Sequence, residues 1–246
     1  IMVSVHSVYG YIFGMQAGRP GWYNPFQAPY FVLGAIVSGF YTVIVALAIL
    51  RKAFGWEQVF PPRLFKGLGI FLGFVTLLYM YFLFSEYLTG MYASPEGERM
   101  VFTDILFGSF APITWTCLLG GMLFPFALLF IQGVNRKIVS IPLTVFAALL
   151  INLSVWGARS LIVVPSFYHP LLPWEVAEYR PTLSEWSMVV SSFYVFGLLL
   201  LVLIKALPVL EFDEPHDGEV RQPSMPWWKR VMVGGSVALG VSLIVF

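Results

Sequence analysis

No acidic or basic residue occurs between Arg19 and Arg51, between Lys66 and Glu86, between Asp104 and Arg136, or between Lys137 and Arg159. These stretches are mostly apolar, and each is long enough to read as a membrane-crossing helix, for which about 18 apolar residues suffice. No other property of the chain limits its fold as sharply. Charged residues make up only 11% of the 246 residues, whereas a soluble domain has about 25%. The expected fold is an all-α, polytopic transmembrane helix bundle. An outer-membrane barrel is excluded as well, because its strands would alternate over roughly ten residues rather than run continuously.

Seven segments qualify as spans: 1–16, Pro29–Leu50, Leu64–Tyr87, Asp104–Val134, Ile138–Val164, Leu183–Leu207 and 228–246. Together they form one integral membrane domain over 1–246, with 208–227 a polar cytoplasmic loop. The fourth is too long for one straight span and contains Pro112 and Pro125. Each proline removes a backbone donor and clashes with the preceding turn, so a kinked or broken helix is expected there. Thr182 and Glu185 have the spacing of a capping box at the start of the sixth. The chain opens and closes inside apolar runs, so it is expected to be part of a longer protein.

The basic residues give the orientation. Arg51, Lys52, Arg63, Lys66, Arg136, Lys137, Lys205, Arg221, Lys229 and Arg230 fall on one side, and only Arg19, Arg99, Arg159 and Arg180 on the other. The richer side is cytoplasmic by the positive-inside rule. The loops 17–28, 88–103 and 159–182 then lie outside. They are rich in Pro, Trp and Tyr, which suits ordered loops that dock an extrinsic partner; the plainer reading is an interfacial aromatic belt.

Net charge is +1, so no bulk field points to nucleic acid. The lone cysteine, Cys117, cannot form an internal disulfide, and with His6, His169 and His216 scattered it makes neither a zinc nor an iron–sulfur site. Haem held by paired histidines inside the membrane has no support, because His169 and His216 fall in loops on opposite faces. Any redox metal is expected in another subunit.

Ionisable side chains inside spans are the functional candidates. His6 heads a polar stripe with Ser7, Tyr9 and Gln16, and Tyr9 and Phe13 follow it at helical spacing. A neutral imidazole donates one hydrogen bond and accepts a proton near neutral pH, which suits a hydroquinone losing protons with its electrons; a packing histidine is the alternative. Glu86 and Asp104 sit at outer ends of spans. They suit a proton exit or a quinone-site base, or simply interfacial solvation. Arg19 and Arg159 lie at outer ends and either pair with these acids or snorkel. Asn152 and Ser154 suit hydrogen bonding between helices.

Several short blocks carry a resemblance: His6-Ser7-Val8, Pro20-Gly21-Trp22, Pro29-Tyr30-Phe31, Ser38-Gly39, Ser85-Glu86-Tyr87 with Tyr92, and Gly108 to Trp115. In this order they resemble the NrfD/polysulfide-reductase membrane subunit family, and within it the longer ActC-type members of alternative complex III and of sulfur-metabolism complexes. The resemblance implies an eight- to ten-helix protein of two four-helix bundles in the prokaryotic cytoplasmic membrane. It implies quinone or quinol, menaquinone first, near the outer face. It further implies a multi-cluster ferredoxin-like iron–sulfur subunit on that face, with cytochrome c or molybdopterin-type subunits beyond it. On these grounds His6, Glu86 and Asp104 are expected to handle protons. His6, Ser7, Tyr9, Phe13, Arg19 and Trp22 are expected around the quinone, in a pocket between spans one, three and four. Two other functions stay open: a proton- or ion-translocating subunit without quinone chemistry, and a purely structural membrane anchor.

Overall fold

The computed structural model describes residues 2–92, 94–135, 138–170 and 182–206. All regular elements among them are helical: α1 (Met2–Gly14), α2 (Gln27–Phe54), α3 (Pro62–Tyr92), α4 (Glu96–Phe107), α5 (Ala111–Trp115), a π-helical stretch (Thr116–Leu123), α6 (Phe124–Val134), α7 (Ile141–Tyr168) and α8 (Leu183–Ala206). Four of these units are long and apolar enough to cross a membrane: Gln27–Lys52, Pro62–Tyr92, Ala111–Val134 and Ile141–Tyr168. The first expected segment is present as the 13-residue α1 and the sixth as α8. The seventh, like the polar stretch 208–227 and His216, lies outside the described residues.

The four spans alternate in direction and close into a ring. α2 packs on α3 and α7, and α6 packs on the same two helices. The core between them is built from Val37, Tyr41, Phe65, Leu72, Met122 and Ile151, each at most 1% exposed. The outward surface of the same helices stays apolar, with Phe71, Phe74, Phe84 and Phe130 exposed. An apolar rim around an apolar core suits a bundle whose surroundings are lipid, where every backbone group must be satisfied within the helix. Basic groups close one end. Arg51 donates to the carbonyls of Glu57 and Phe60, and Lys66 to the carbonyl of Asn135 at 2.8 Å. At the same end Ser140 caps α7 by accepting from the Leu143 N–H.

The fourth expected segment needs correction. Residues 104–107 belong to α4, a separate helix at the opposite end of the bundle, and the span proper starts at Ala111. The break follows from local hydrogen bonding: the Asp104 carboxylate accepts the Ser109 N–H at 2.7 Å, and the chain turns through Gly108. Pro112 then sits in the first turn of α5, where its missing N–H has no partner to lose. Pro125 differs: it stands within a continuous helix, directly after the π-helical stretch, whose wider turn is where the irregularity lies. The two following outer loops are also shorter than expected. α3 runs on to Tyr92 and α4 occupies much of 88–103, while α7 continues through Pro165 to Tyr168. Arg159 is therefore a helical residue inside the bundle.

The capping box at the start of α8 forms: the Glu185 carboxylate accepts the Thr182 N–H at 2.7 Å, and the Thr182 hydroxyl accepts the Glu185 N–H at 3.4 Å.

Two close contacts hold the outer end. Gly21 has φ 83°, a left-handed conformation that suits glycine, and a Cβ there would stand 2.9 Å from the Val101 side chain of α4. That turn presents Trp22, whose indole N–H donates to the Ile162 carbonyl of α7 at 2.9 Å. The Pro20-Gly21-Trp22 block is thus a clasp between the first loop, α4 and α7.

Candidate functional site

The described polar groups buried near the Trp22 end divide into two sets. The first lies between α2, α3 and α7. Glu86, 4% exposed, is reached by the Gln27 side-chain amide, which donates to its Oε1 at 3.1 Å. One turn further along α2 and about two turns back along α3, the Tyr79 hydroxyl donates to that of Tyr30, and their rings stack with centroids 4.6 Å apart. Arg159 reaches in from α7. Its guanidinium lies 6.0 Å from the Phe31 ring centroid, and its Nη2 is buried with no hydrogen-bond partner among the described residues. The side chain occupies the room left by Gly34, where a Cβ would stand 3.1 Å from Nη2. The Gln27 Oε1 and the Ser166 Oγ are buried and unpartnered as well. Buried polar atoms are normally hydrogen-bonded, so three such atoms stand out at this end of the bundle.

The second set surrounds an open cleft of about 750 Å³ between α4 and the end of α7. Met100, Thr103 and Phe107 of α4 form one wall, and Tyr168 and His169 the other. Asp104 is held by two bonds. Its Oδ1 accepts the Ser109 N–H, and its Oδ2 lies 3.1 Å from the His169 Nε2. A carboxylate can only accept, so the imidazole donates from Nε2. Glu98, on the other side of α4, is partly buried. That burial pushes its carboxyl above the ordinary carboxylate range, and the Ser94 hydroxyl pulls the other way.

The residues expected from sequence fall into three places rather than one pocket. His6, Ser7, Tyr9 and Phe13 lie on α1, which packs on α2 and on neither α3 nor α4. A pocket between spans one, three and four is therefore not formed by α1. The reason is the tight α1–α2 crossing: a Cβ at Gly10 would lie 2.5 Å from the Ala28 Cα. Ser7 spends its hydroxyl on the Val3 carbonyl at 2.8 Å, and Tyr9 is 55% exposed. Phe13 joins an aromatic knot with Trp22 (centroids 4.7 Å apart) and Phe31 (5.8 Å), and Arg19 covers Phe167 at 5.5 Å. Glu86 belongs to the buried layer and Asp104 to the cleft. His6 is partly buried, one turn from Gly10 on the α1 face that meets the Gln27–Ala28 backbone.

Gln27, Tyr30, Tyr79 and His169 were missed as site residues. Tyr30 stands in a block that sequence reading singled out, but nothing in its spacing reveals a partner 49 residues away. His169 reads as a loop histidine because α7 continues past the expected end. Among the described residues no group of three or more His, Cys, Asp or Glu could hold a metal ion.

Comparison with known proteins adds lineage to this geometry. A family model described as polysulphide reductase, NrfD, matches residues 1–170. The chain is 27% identical over 217 residues to a selenate reductase subunit of Mesobacillus selenatarsenatis, covering 84% of this chain and 49% of that one. It is 30% identical over 226 residues to a putative dimethyl sulfoxide reductase membrane subunit of Halobacterium salinarum, covering 84% of this chain and 51% of that one. The chain spans about half the length of these two relatives.

Proposed function

The chain belongs to the NrfD, polysulphide reductase family, and from that premise we propose that it is the quinone-reactive integral membrane subunit of a reductase complex in a prokaryotic cytoplasmic membrane. Quinone or quinol, menaquinone first, reacts at the outer end of the bundle. Electrons pass between it and the clusters of an iron–sulfur subunit docked on that face, with cytochrome c or molybdopterin-type subunits completing the complex. The same parts serve quinol oxidation and quinone reduction, and the direction follows from the potentials of the partners.

The observation that carries this reading is the Glu86–Gln27 pair. A carboxyl group buried inside an apolar span is expensive, and such groups mark proton or substrate paths far more often than packing. Here it sits at the end of the bundle poorer in basic residues, with Tyr30, Tyr79 and Arg159 following within about two helical turns. A quinol must release two protons as it gives up two electrons, and this layer offers groups able to take and pass them. His6 lies one helical turn from Gly10, whose backbone packs on Gln27 and Ala28, and in this reading it passes protons with Glu86, while Asp104 stands near the outer surface where protons leave. The buried ionisable groups gathered at one end also suit exchange with one side of the membrane better than a path through both halves.

The test uses the assembled complex in membranes. Quinol-supported turnover is compared with turnover driven by a soluble dye that bypasses the membrane subunit. His6→Ala and Glu86→Gln should each lower the quinol-supported rate by at least about tenfold, at the modest end of what a proton-transferring group supplies, and leave the dye-driven rate unchanged. A wild-type complex with no quinol-supported turnover would refute the function. Quinol turnover unchanged in both variants would remove the roles given to these residues.

A further inference from the structure

The described cations of the basic end are not equally committed. Arg51 donates to two carbonyls of the connection between α2 and α3. Lys66, partly buried, gives one of its three donors to the carbonyl of Asn135, just past the end of α6, and Arg136 and Lys137 follow directly in sequence. Arg63 is exposed, and neither it nor Lys66 is ion-paired with a described acid. Arg63 also stands in the first turn of α3, where the helix dipole disfavours a cation. Nothing within the helix accounts for positive charge at that point. The same face of α3 then turns apolar. Arg63, Lys66, Ile70, Phe74 and Leu77 recur every three or four residues, and the last three are exposed. α6 packs beside this strip and exposes Phe130. Gly133 closes the gap between the two helices, since a Cβ there would lie 3.2 Å from the Ile70 side chain. Gly67 leaves the surface open, since a Cβ there would meet nothing within 4 Å.

At about 1.5 Å of rise per residue, the strip from Lys66 to Leu77 is about 16 Å long. That is about half of the roughly 30 Å hydrocarbon core, the depth of one leaflet. Two cations above one leaflet's depth of apolar surface match an acidic phospholipid in both charge and length. We propose that this strip is a binding site for one anionic phospholipid of the cytoplasmic leaflet. Its phosphodiester is held by the Arg63 guanidinium and the Lys66 ammonium, and its acyl chains lie on Ile70, Phe74 and Phe130. Arginine offers a phosphate two parallel N–H donors, and basic pockets between membrane helices on this side take anionic head groups. Because Lys66 is tied to the end of α6, the bound lipid links α3 to α6 from outside. The site lies at the opposite end of the bundle from Glu86. It uses the orientation given by the basic residues and does not depend on the quinone reading.

The assembled complex tests this in two ways. In the first, native mass spectrometry in mild detergent follows titration with phosphatidylglycerol and with zwitterionic phosphatidylcholine of the same chains. Wild type should bind phosphatidylglycerol in clear preference. A basic side chain near an anionic head group contributes about fivefold in affinity. Arg63→Gln should therefore lower phosphatidylglycerol affinity about fivefold and Arg63→Gln/Lys66→Gln about 25-fold, with phosphatidylcholine unchanged. Lys52→Gln, which removes an exposed cation of the same end on α2, should leave the affinity as in wild type. Equal binding of the two lipids by wild type overturns the proposal. So does an equal loss in Lys52→Gln and Arg63→Gln, which would mean a diffuse positive field. Glycerol 3-phosphate bound as tightly as the lipid would also overturn it, because the apolar strip would then contribute nothing. In the second, phosphatidylglycerol with a photoreactive acyl chain is crosslinked to the wild-type complex in nanodiscs and the labelled peptides are mapped, which needs no variant to fold. Label on 63–77 and 126–134 is expected, and label that avoids both segments overturns the assignment.

Discussion

Replacing Gly90 by alanine should loosen α4 without disturbing the bundle. A Cβ at position 90 would stand 2.2 Å from two ring carbons of Phe102, where non-bonded carbons settle at about 3.5–4.0 Å. The ring must therefore withdraw by roughly 1.3–1.8 Å. It has little room to do so, because Phe102 is 5% exposed and forms with Val101 and Ile105 the small buried cluster that fixes α4. Overpacking of this kind costs about 1–3 kcal/mol. A value near 2 kcal/mol corresponds to about a 30-fold rise in the opening of α4, since about 1.4 kcal/mol is tenfold. Amide hydrogen exchange on the protein in nanodiscs reads this directly. Residues 96–107 should exchange about 30-fold faster in Gly90→Ala, by the same conversion, while α2 and α7 stay as in wild type. The double variant Gly90→Ala/Phe102→Leu should recover most of the protection, because the smaller side chain relieves the same clash and the two sites couple. Unchanged exchange over α4, or an equal rise over the whole bundle, would refute this account of how the helix is anchored.

Two further outcomes follow from named contacts. Trp22→Phe keeps the aromatic knot but removes the N–H that bonds the Ile162 carbonyl; the loss of about 1 kcal/mol should lower Tm in detergent by about 2–4 °C, and no change would show that water replaces the bond. Glu98 has its folded pKa raised by burial, so the fold favours its protonated form. Its contribution to the stability of α4 is present at low pH and is lost as pH rises through the folded pKa, above the ordinary carboxylate range. In Glu98→Gln the exchange protection of α4 should lose this fall with rising pH, and an identical pH dependence in both proteins would contradict the assignment.

The spans were legible because hydropathy and charge act over whole helices, and neither depends on which helices meet. Four span-length helices stand where the charge-free runs lie, and the capping box of α8 was readable because its four residues are contiguous. The ends of helices were harder. Asp104 was placed at the start of a span because the sequence stays apolar through Phe107 and Phe110. What divides them is a side chain-to-backbone bond at Ser109 that hydropathy does not register. Of the site, Glu86 stood out because an acid in a long apolar run is rare. Its partner Gln27 did not, because an uncharged amide near a loop is ordinary until the helices cross. The Asp104–His169 pair joins residues 65 positions apart, and no local pattern encodes that distance.

The π-helical stretch Thr116–Leu123 acts on the third membrane span as a phase shifter. Each α-helical residue advances by about 100° around the axis, so a wider turn lets α5 and α6 present faces that one uninterrupted helix could not present together. Upstream, Thr114 is buried toward the outer end of the bundle; downstream, Leu129 and Gln132 are buried toward α3 and α7. Deleting one residue from TCLLGGML would leave the length and hydropathy of the span nearly untouched. It would also turn one half against the other by about 100°. The relation between the cleft end and the basic end of this bundle is thus stored in an angle, at a point where a hydropathy profile is flat.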